Sequence, residues 1–310
     1  MNDRLRGTVE MAAAMMISGT IGWFVVLSGR PVLDVVFWRC AFGAGALLIV
    51  CAALGLLRGT LTPRLLAFAA LGGVAIVVNW LLLFAAYSRA SIAIATTVYS
   101  TQPFMLVALG ALFFAERLTA TKLMWLGLAF IGMVLIVQAK PDAGYVGPGY
   151  ATGIVMAFGA AFFYALAAII AKKLGALPPY LITLIQVCVG IVMLAPFANL
   201  SDLPDDAQTW SILVAVGVVH TGLMFTLHYG AIQRLPTHLT GSLYFIYPVA
   251  AIIVDLLAFG HRLHPVQLIG AAAILIAAAG MNLGWTLWRP KAARRALRPA
   301  LRALAALIAR

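Results

Sequence analysis

Charged residues are scarce in this chain, and acidic ones are the scarcest. Only 10% of the 310 residues are charged and 64% are hydrophobic, with 9 acidic residues against 21 lysines and arginines. Ordinary soluble domains carry roughly 25% charged residues, so a soluble fold this apolar could not cover its own surface. The composition predicts a protein that crosses a lipid bilayer several times, with no separate soluble domain.

Cysteines and catalytic motifs are also few. The three cysteines, Cys40, Cys51 and Cys188, lie in apolar runs without paired spacing, which is typical of small hydrophobic residues. The sequence lacks a phosphate-binding loop, a Gly-x-Ser-x-Gly motif and paired carboxylates. These absences argue against an enzyme and against an ATP-driven pump, and we expect no cofactor and no bound metal.

What the chain does contain is a series of ten long apolar segments. A membrane-spanning helix needs about 20 such residues, and runs of this length favour helices over the shorter strands of a barrel. Prolines lie at or near most of the breaks, where they start or end helices. The predicted spans are 8–28, 32–56, 65–87, 91–115, 119–138, 150–171, 179–199, 207–231, 238–259 and 265–288.

The sequence also repeats itself, because the stretch 84–118 recurs without a gap at 229–263. The matches include polar residues at fixed spacing: Arg89, Tyr99 and Pro103 recur as Arg234, Tyr244 and Pro248. Internal duplication of this kind predicts a membrane transporter built from two related halves. We place the first five-helix repeat at 1–140, the second at 141–288 and a basic tail at 289–310.

The number of spans and the charge distribution predict how the halves are oriented. Because five is odd, the second half must enter the membrane from the opposite side to the first. With a cytoplasmic N-terminus, 16 of the 21 lysines and arginines fall on the inner side, as the positive-inside rule requires. The net charge of +12 is explained in this way, so we expect no nucleic-acid partner. The predicted fold is all-α, with ten transmembrane helices as two inverted five-helix repeats around a central cavity.

Polar residues inside spans cost free energy and are functional candidates by default. In the fourth span, Thr96, Tyr99 and Gln102 are three positions apart and share one helix face. Pro103 follows, and a proline within a span frees a backbone carbonyl and kinks the helix.

The copy of this segment in the ninth span carries Tyr244, Tyr247 and Pro248. Two kinked helices with aromatic and polar faces suit the walls of a substrate cavity. The alternative is that the tyrosines bond neighbouring helices and the prolines only shape the packing.

Four further side chains are candidates for the same cavity: Trp23, Asn79, Tyr164 and His220. An amide inside a span needs a partner, which could be a ligand or another helix. His220 could be an interhelical hydrogen-bond partner or a proton carrier, and Trp23 and Tyr164 could stack on an aromatic ligand or simply pack. Arg39, in the second span, should face a partner or a wet cavity, and Asp34 and Asp255 are possible partners.

Over residues 1–288 the chain resembles the drug/metabolite transporter superfamily, EamA type. His261 stands where many relatives have glutamate. Besides the ten spans in two repeats, the motifs that carry the resemblance are Phe37-Trp38-Arg39, Phe113-Phe114-Ala115-Glu116-Arg117-Leu118, Trp125-Leu126-Gly127, Phe259-Gly260-His261-Arg262-Leu263 and Gln267-Leu268-Ile269-Gly270.

Within the superfamily the chain is most similar to bacterial exporters of aromatic and other hydrophobic amino acids. This resemblance implies a basket of helices around a central cavity that works by alternating access in the inner membrane, with both termini in the cytoplasm. We expect a monomer in the lipid bilayer with an amino acid as substrate. The alternative is another metabolite or drug, such as a nucleobase or a cationic compound. Proton antiport and facilitated diffusion both remain open from the sequence.

Overall fold

The computed structural model describes residues 2–57, 62–90, 95, 98–116, 118–138, 149–198, 203–259 and 265–285. The regular structure in these residues is helical throughout, without strands, which confirms the predicted all-α class. The helices are α1 Asp3–Ser28, α2 Val32–Ala53, α3 Pro63–Ala90, α4 Gln102–Phe114, α5 Ala120–Gln138, α6 Tyr150–Lys173, α7 Pro179–Leu194, α8 Ala207–Gly217, a π-helical segment Val218–Leu223, α9 Met224–Arg234, α10 Thr237–Tyr244, α11 Ile246–Phe259 and α12 Pro265–Leu283.

Six helices in the described part of the chain are long and apolar enough to cross a membrane. These six are Asp3–Val25, Val32–Ala53, Pro63–Leu83, Tyr150–Lys173, Ala207–Arg234 and Pro265–Leu283. Shorter apolar helices account for Gln102–Phe114, Ala120–Ile136 and Pro179–Leu194. The continuous helical stretch Ala207–Arg234 contains the π-helical segment. There the Thr221 hydroxyl donates to the carbonyl of Val216, five residues earlier, at 3.0 Å. The sequence predicted a plain span here.

The ninth predicted span is not one helix, because it breaks at Phe245 between α10 and α11. Pro248 has no N–H to bond the carbonyl of Tyr244, four residues earlier, so the helix ends at that tyrosine. The first copy breaks at the same point, since a turn at Ser100 and Thr101 separates Tyr99 from α4. The duplicated prolines therefore interrupt both helices immediately after the duplicated tyrosines.

The packing partners of the helices repeat as the sequence does. In one set of contacts α6 packs along α3 and α4, and in its counterpart α1 packs along α9, α10 and α11. The remaining helices pack against their own copies, α5 along α12 and α2 along α7. We call α3, α4 and α6 the first bundle and α1, α8, α9, α10 and α11 the second bundle.

The helix ends meet in two sets. Where α1 begins and α12 ends, the Arg4 guanidinium donates to the carbonyl of Asn282. Near the N-termini of α2 and α8, the rings of Trp38 and Trp210 lie edge to face with their centroids 4.9 Å apart. The start of the first described helix therefore lies beside the end of the last one. The N-termini of α2 and α8 lie together in the same way.

The contact between α5 and α12 depends on two glycines, and it yields a stability prediction. A Cβ atom at Gly132 would lie 2.6 Å from the carbonyl oxygen of Gly270, closer than real Cβ contacts come. We expect Gly132→Ala to destabilise the protein by about 1–3 kcal/mol, the usual cost of overpacking. Thermal unfolding of the purified protein in detergent measures this loss. Gly127→Ala in the same helix is the matched control, because a Cβ there meets nothing within 4 Å. Equal melting temperatures for the two variants would contradict the close crossing.

Candidate functional site

Three of the tyrosines singled out in the sequence come together between the two bundles. The ring of Tyr164, from α6, lies edge-on to that of Tyr99 with the centroids 6.0 Å apart. The Tyr244 ring, from α10, also lies edge-on to the Tyr164 ring, with the centroids 5.7 Å apart. The two copies of the repeated tyrosine thus flank a third tyrosine that lies outside the repeated stretch.

Asn79 of α3 is attached to this cluster and is fully buried. Its amide nitrogen donates to the Tyr99 hydroxyl at 3.2 Å and to the carbonyl of Ala160 at 2.8 Å. Its amide oxygen is also buried, and it has no hydrogen-bond partner among the residues that the structure describes. A buried acceptor without a partner costs about 1–3 kcal/mol, which marks the position as one that a ligand's donor could fill.

His228 of α9 completes the cluster, although no sequence pattern favours it over His220. Its Nε2 lies 2.8 Å from the Tyr244 hydroxyl and 3.4 Å from the Tyr164 hydroxyl. The side chain is only 1% exposed, and its Nδ1 has no hydrogen-bond partner in the described part of the chain. The only available signal was that an imidazole within an apolar span is costly wherever it lies.

The two proline-interrupted segments face each other across a small cavity. Gly241 permits the approach, since a Cβ there would lie 3.2 Å from the carbonyl oxygen of Pro103. The cavity encloses about 10 Å³, enough for about one water molecule. It is lined by Tyr99, Ser100, Gln102, Pro103, Tyr244, Phe245, Tyr247 and Pro248. The amide oxygen of Gln102 is buried and has no hydrogen-bond partner among the described residues, which do not include Thr96.

Two other predicted residues form a separate group on α1 and the π-helical segment. The Nε2 atom of His220 lies 2.7 Å from the Thr20 hydroxyl, and its ring packs 4.8 Å from that of Phe24. Trp23 touches Phe24 edge-on at 5.1 Å. Among the described residues no ring contact joins Trp23 or His220 to the tyrosines.

Arg39 of α2 lies between these two groups and is 3% exposed. Its Nε donates to the Thr221 hydroxyl at 3.1 Å, and its guanidinium carbon lies 4.3 Å from the centre of the Trp80 ring. Through these two contacts Arg39 touches the residues that directly follow His220 and Asn79 in the chain. Asp34 pairs instead with Arg30, at 3.4 Å, and the side chain of Asp255 lies outside the described residues.

At one face, a carboxylate from the loop after α4 ties the first bundle to the second. Both carboxylate oxygens of Glu116 accept from the backbone N–H of Thr237 at 3.0 Å, and one accepts from its hydroxyl at 2.8 Å. Thr237 opens α10, and the residue before it, Pro236, gives no side-chain cap. Glu116 therefore caps this helix from another part of the chain. Lys172 of α6 and His238 approach the same carboxylate at 3.8 and 3.5 Å.

These contacts keep Glu116 ionised. Partial burial on its own would raise the pKa of the carboxyl group, but the close approach of the His238 imidazole, the hydrogen bonds from Thr237 and the charge of Lys172 outweigh it. Together they lower the pKa from 4.5 to about 2. A carboxylate with such a pKa does not take up protons near neutral pH.

A second ion pair near this face lies within one bundle. Glu10 of α1 pairs with Arg234 of α9 at 2.6 Å. The Arg234 guanidinium also donates to a carbonyl four residues earlier at 2.8 Å, and its copy Arg89 makes the same bond at the same distance. The repeated arginines thus share the role of capping a helix C-terminus.

The chain has clear relatives. The EamA-like transporter family matches twice, at residues 6–138 and 151–283, so that the two matches are offset by the same 145 positions as the repeat. An uncharacterized transporter of Bacillus subtilis, YxxF, is 29% identical over 89% of this chain and 88% of its own length. The threonine/homoserine exporter RhtA of Escherichia coli is 27% identical over 56% of this chain and 58% of its own length.

Two further comparisons concern function and fold separately. A probable amino-acid metabolite efflux pump of Salmonella typhimurium is 26% identical over 59% of this chain and 64% of its own length. A solved crystal structure matches with a TM-score of 0.78 at 19% identity, covering 89% of this chain and 96% of the other. At that identity the likeness shows a shared fold.

Proposed function

The chain belongs to the EamA-like transporter family, and we propose that it exports aromatic and other hydrophobic amino acids across the bacterial inner membrane. The observation that carries this proposal is the buried cluster between the bundles, where aromatic rings surround polar atoms without partners. Rings can pack a hydrophobic side chain, and unpaired amide oxygens can accept from an amino group. The binding residues we propose are Trp23, Asn79, Thr96, Tyr99, Gln102, Tyr164, His220, Tyr244 and Tyr247.

The names of two relatives support an amino acid as the substrate class. One relative exports threonine and homoserine, and the other is a probable efflux pump for amino-acid metabolites. The site described above is richer in aromatic rings than small polar substrates such as threonine require. This excess is the reason for proposing larger hydrophobic amino acids.

The architecture we propose is ten membrane spans in two inverted five-helix repeats, at 1–140 and 141–288, followed by a basic tail. The packing of the helices supports this arrangement, because each half contributes one helix to the other. Helix α6 packs against helices of the first half, and α1 packs in the same way against helices of the second half. A monomer with both termini in the cytoplasm fits the same scheme. The contacts of Glu116 with Lys172 and of Glu10 with Arg234 are consistent with it, since all four residues are predicted at inner helix ends.

The small size of the cavity in this conformation supports alternating access. About 10 Å³ admits a water molecule but no amino acid, so the two proline-interrupted segments must separate before a substrate can bind. Pro103 and Pro248 are the proposed hinges, because the helix breaks beside them concentrate the backbone freedom there. The contact of Glu116 with Thr237, which joins the two bundles, closes one end of the substrate path between them.

Counterflow in liposomes tests the proposal. Purified protein should exchange labelled phenylalanine, tryptophan and threonine against an internal pool of the same compound, and protein-free liposomes should not. Running the assay with and without a proton gradient also reports how transport is driven. Movement of a nucleobase or an organic cation, with no amino acid moving in either direction, would contradict the proposed substrate class.

A further inference from the structure

Arg39 is a buried cation whose charge the described structure leaves uncompensated. Two described carboxylates are paired with other arginines, Asp34 with Arg30 and Glu10 with Arg234. Glu116 is held at the α10 N-terminus. A buried charge without an ionic partner is costly, and within a membrane span it marks a ligand path by default.

The groups around Arg39 orient the guanidinium without neutralising it. Thr221 binds the Nε atom, and the indole of Trp80 lies against one face of the planar group. No described residue accepts a hydrogen bond from either terminal nitrogen of Arg39. A guanidinium held in this way presents a two-pronged donor, the geometry that matches a carboxylate.

The place of Arg39 joins it to the proposed site. Its hydrogen-bond partner Thr221 follows His220 directly in the chain, and its ring partner Trp80 belongs to α3. Trp80 follows Asn79 directly in α3, and its ring lies 5.9 Å from that of Phe225, which packs against His228 at the same separation. A substrate among the tyrosines would therefore lie next to the guanidinium.

We propose that Arg39 binds the carboxylate of the transported molecule, which restricts the substrate to compounds with a free carboxylate. The proposal deepens the proposed function and rests on it. The amino group then falls toward the unpaired oxygen of Asn79, and the side chain packs among the rings. An organic cation would meet the Arg39 charge without a described carboxylate to balance it, so such compounds are excluded.

Binding to the full-length protein in detergent tests this assignment with four probes: phenylalanine, 3-phenylpropionate, phenylalaninamide and phenethylamine. The first two carry a carboxylate and the last two do not. We expect the wild-type protein to bind the acids more tightly, and Arg39→Gln to weaken that binding about 10- to 100-fold. Binding of phenylalaninamide should not weaken, so the preference for the acid disappears.

Three variants separate recognition from folding. Arg39→Lys keeps the positive charge but loses the paired N–H donors of the guanidinium, and it should retain part of the preference for acids. Thr221→Val removes the bond to Nε and should reduce the preference less than Arg39→Gln does. Arg30→Gln is the matched control, since it removes an arginine paired with Asp34 away from the site, and its preference should equal that of wild type.

The outcomes distinguish this inference from the proposed function. If Arg39→Gln keeps the preference for acids, or wild type binds phenylalaninamide as well as phenylalanine, the assignment of Arg39 fails even where counterflow of phenylalanine succeeds. If counterflow of amino acids fails but 3-phenylpropionate binds and depends on Arg39, the carboxylate site stands and the amino-acid function falls. Preferential binding of phenethylamine would overturn both.

Discussion

Tyr244→Phe should lower counterflow of phenylalanine about tenfold, and Tyr244→Ala should lower it about 100-fold. The hydroxyl lies 2.8 Å from Nε2 of His228, so its loss leaves this buried nitrogen only the longer contact with the Tyr164 hydroxyl, at a cost of about 1–3 kcal/mol. Truncation to alanine also removes the ring that packs on Tyr164 and leaves a void between the bundles. Initial rates in proteoliposomes measure both effects.

The control for this prediction is Tyr180→Ala at the start of α7, where the side chain is 37% exposed. It should transport like wild type. Melting temperatures of all the variants show whether a loss of transport reflects misfolding. Tyr244→Phe keeps nearly all of the packing, because it removes only the hydroxyl. Full transport by both Tyr99→Ala and Tyr244→Ala would contradict the proposed site.

Glu116→Gln should open the face of the protein that this carboxylate closes. The substitution removes the charge that caps α10 and attracts Lys172, and hydrogen bonds to charged groups contribute about 1.5–3 kcal/mol. The population open at this face should rise about tenfold or more. A cysteine placed at Thr240, which is 1% exposed and one turn into α10, reports the change through its rate of maleimide labelling. The native cysteines are first replaced by serine or alanine.

Glu10→Gln is the matched control for this experiment. It neutralises a carboxylate near the same face, but the ion pair with Arg234 joins two helices of one bundle. Labelling at position 240 should therefore stay at the wild-type rate. Equal acceleration by both substitutions would show that Glu116 does not act specifically as the tie between bundles.

The low pKa of Glu116 gives the pH dependence of this tie. Closing the face lowers the pKa from 4.5 to about 2, so the stabilisation is complete above pH 4.5 and is lost as the pH falls through about 2. Between roughly pH 5 and 8, protonation of Glu116 should not change the opening of the tie. Glu116 therefore does not couple transport to a proton gradient across a membrane near neutral pH.

The duplicated segment shows how much of the site could be predicted from the sequence. Tyr99 and Tyr244 stand at equal places in two copies, each followed four residues later by a proline, and the structure brings both to one cavity. Asn79 and Tyr164 stood out because polar groups within spans need partners. Each of these signals is local, and none required knowing which helices are neighbours.

The remaining features depend on contacts between helices far apart in the chain. His228 joins the cluster only because α9 packs against α6 and α10, and nothing in its own sequence separates it from His220. Glu116 caps α10 across 121 residues, and the π-helical segment carries no sequence signal that distinguishes it from an α-helix. Trp23 was predicted from its aromatic character, but it packs on Phe24 and makes no described ring contact with the tyrosines.

We propose that the two proline-interrupted segments form one substrate site that opens to each side of the membrane in turn. The most direct test is a single cysteine at Gln102, which lines the cavity, labelled with an impermeant maleimide applied from either side. We expect labelling from both sides, slowed in each case by saturating phenylalanine. Labelling from one side only, or labelling that phenylalanine leaves unchanged, would contradict it.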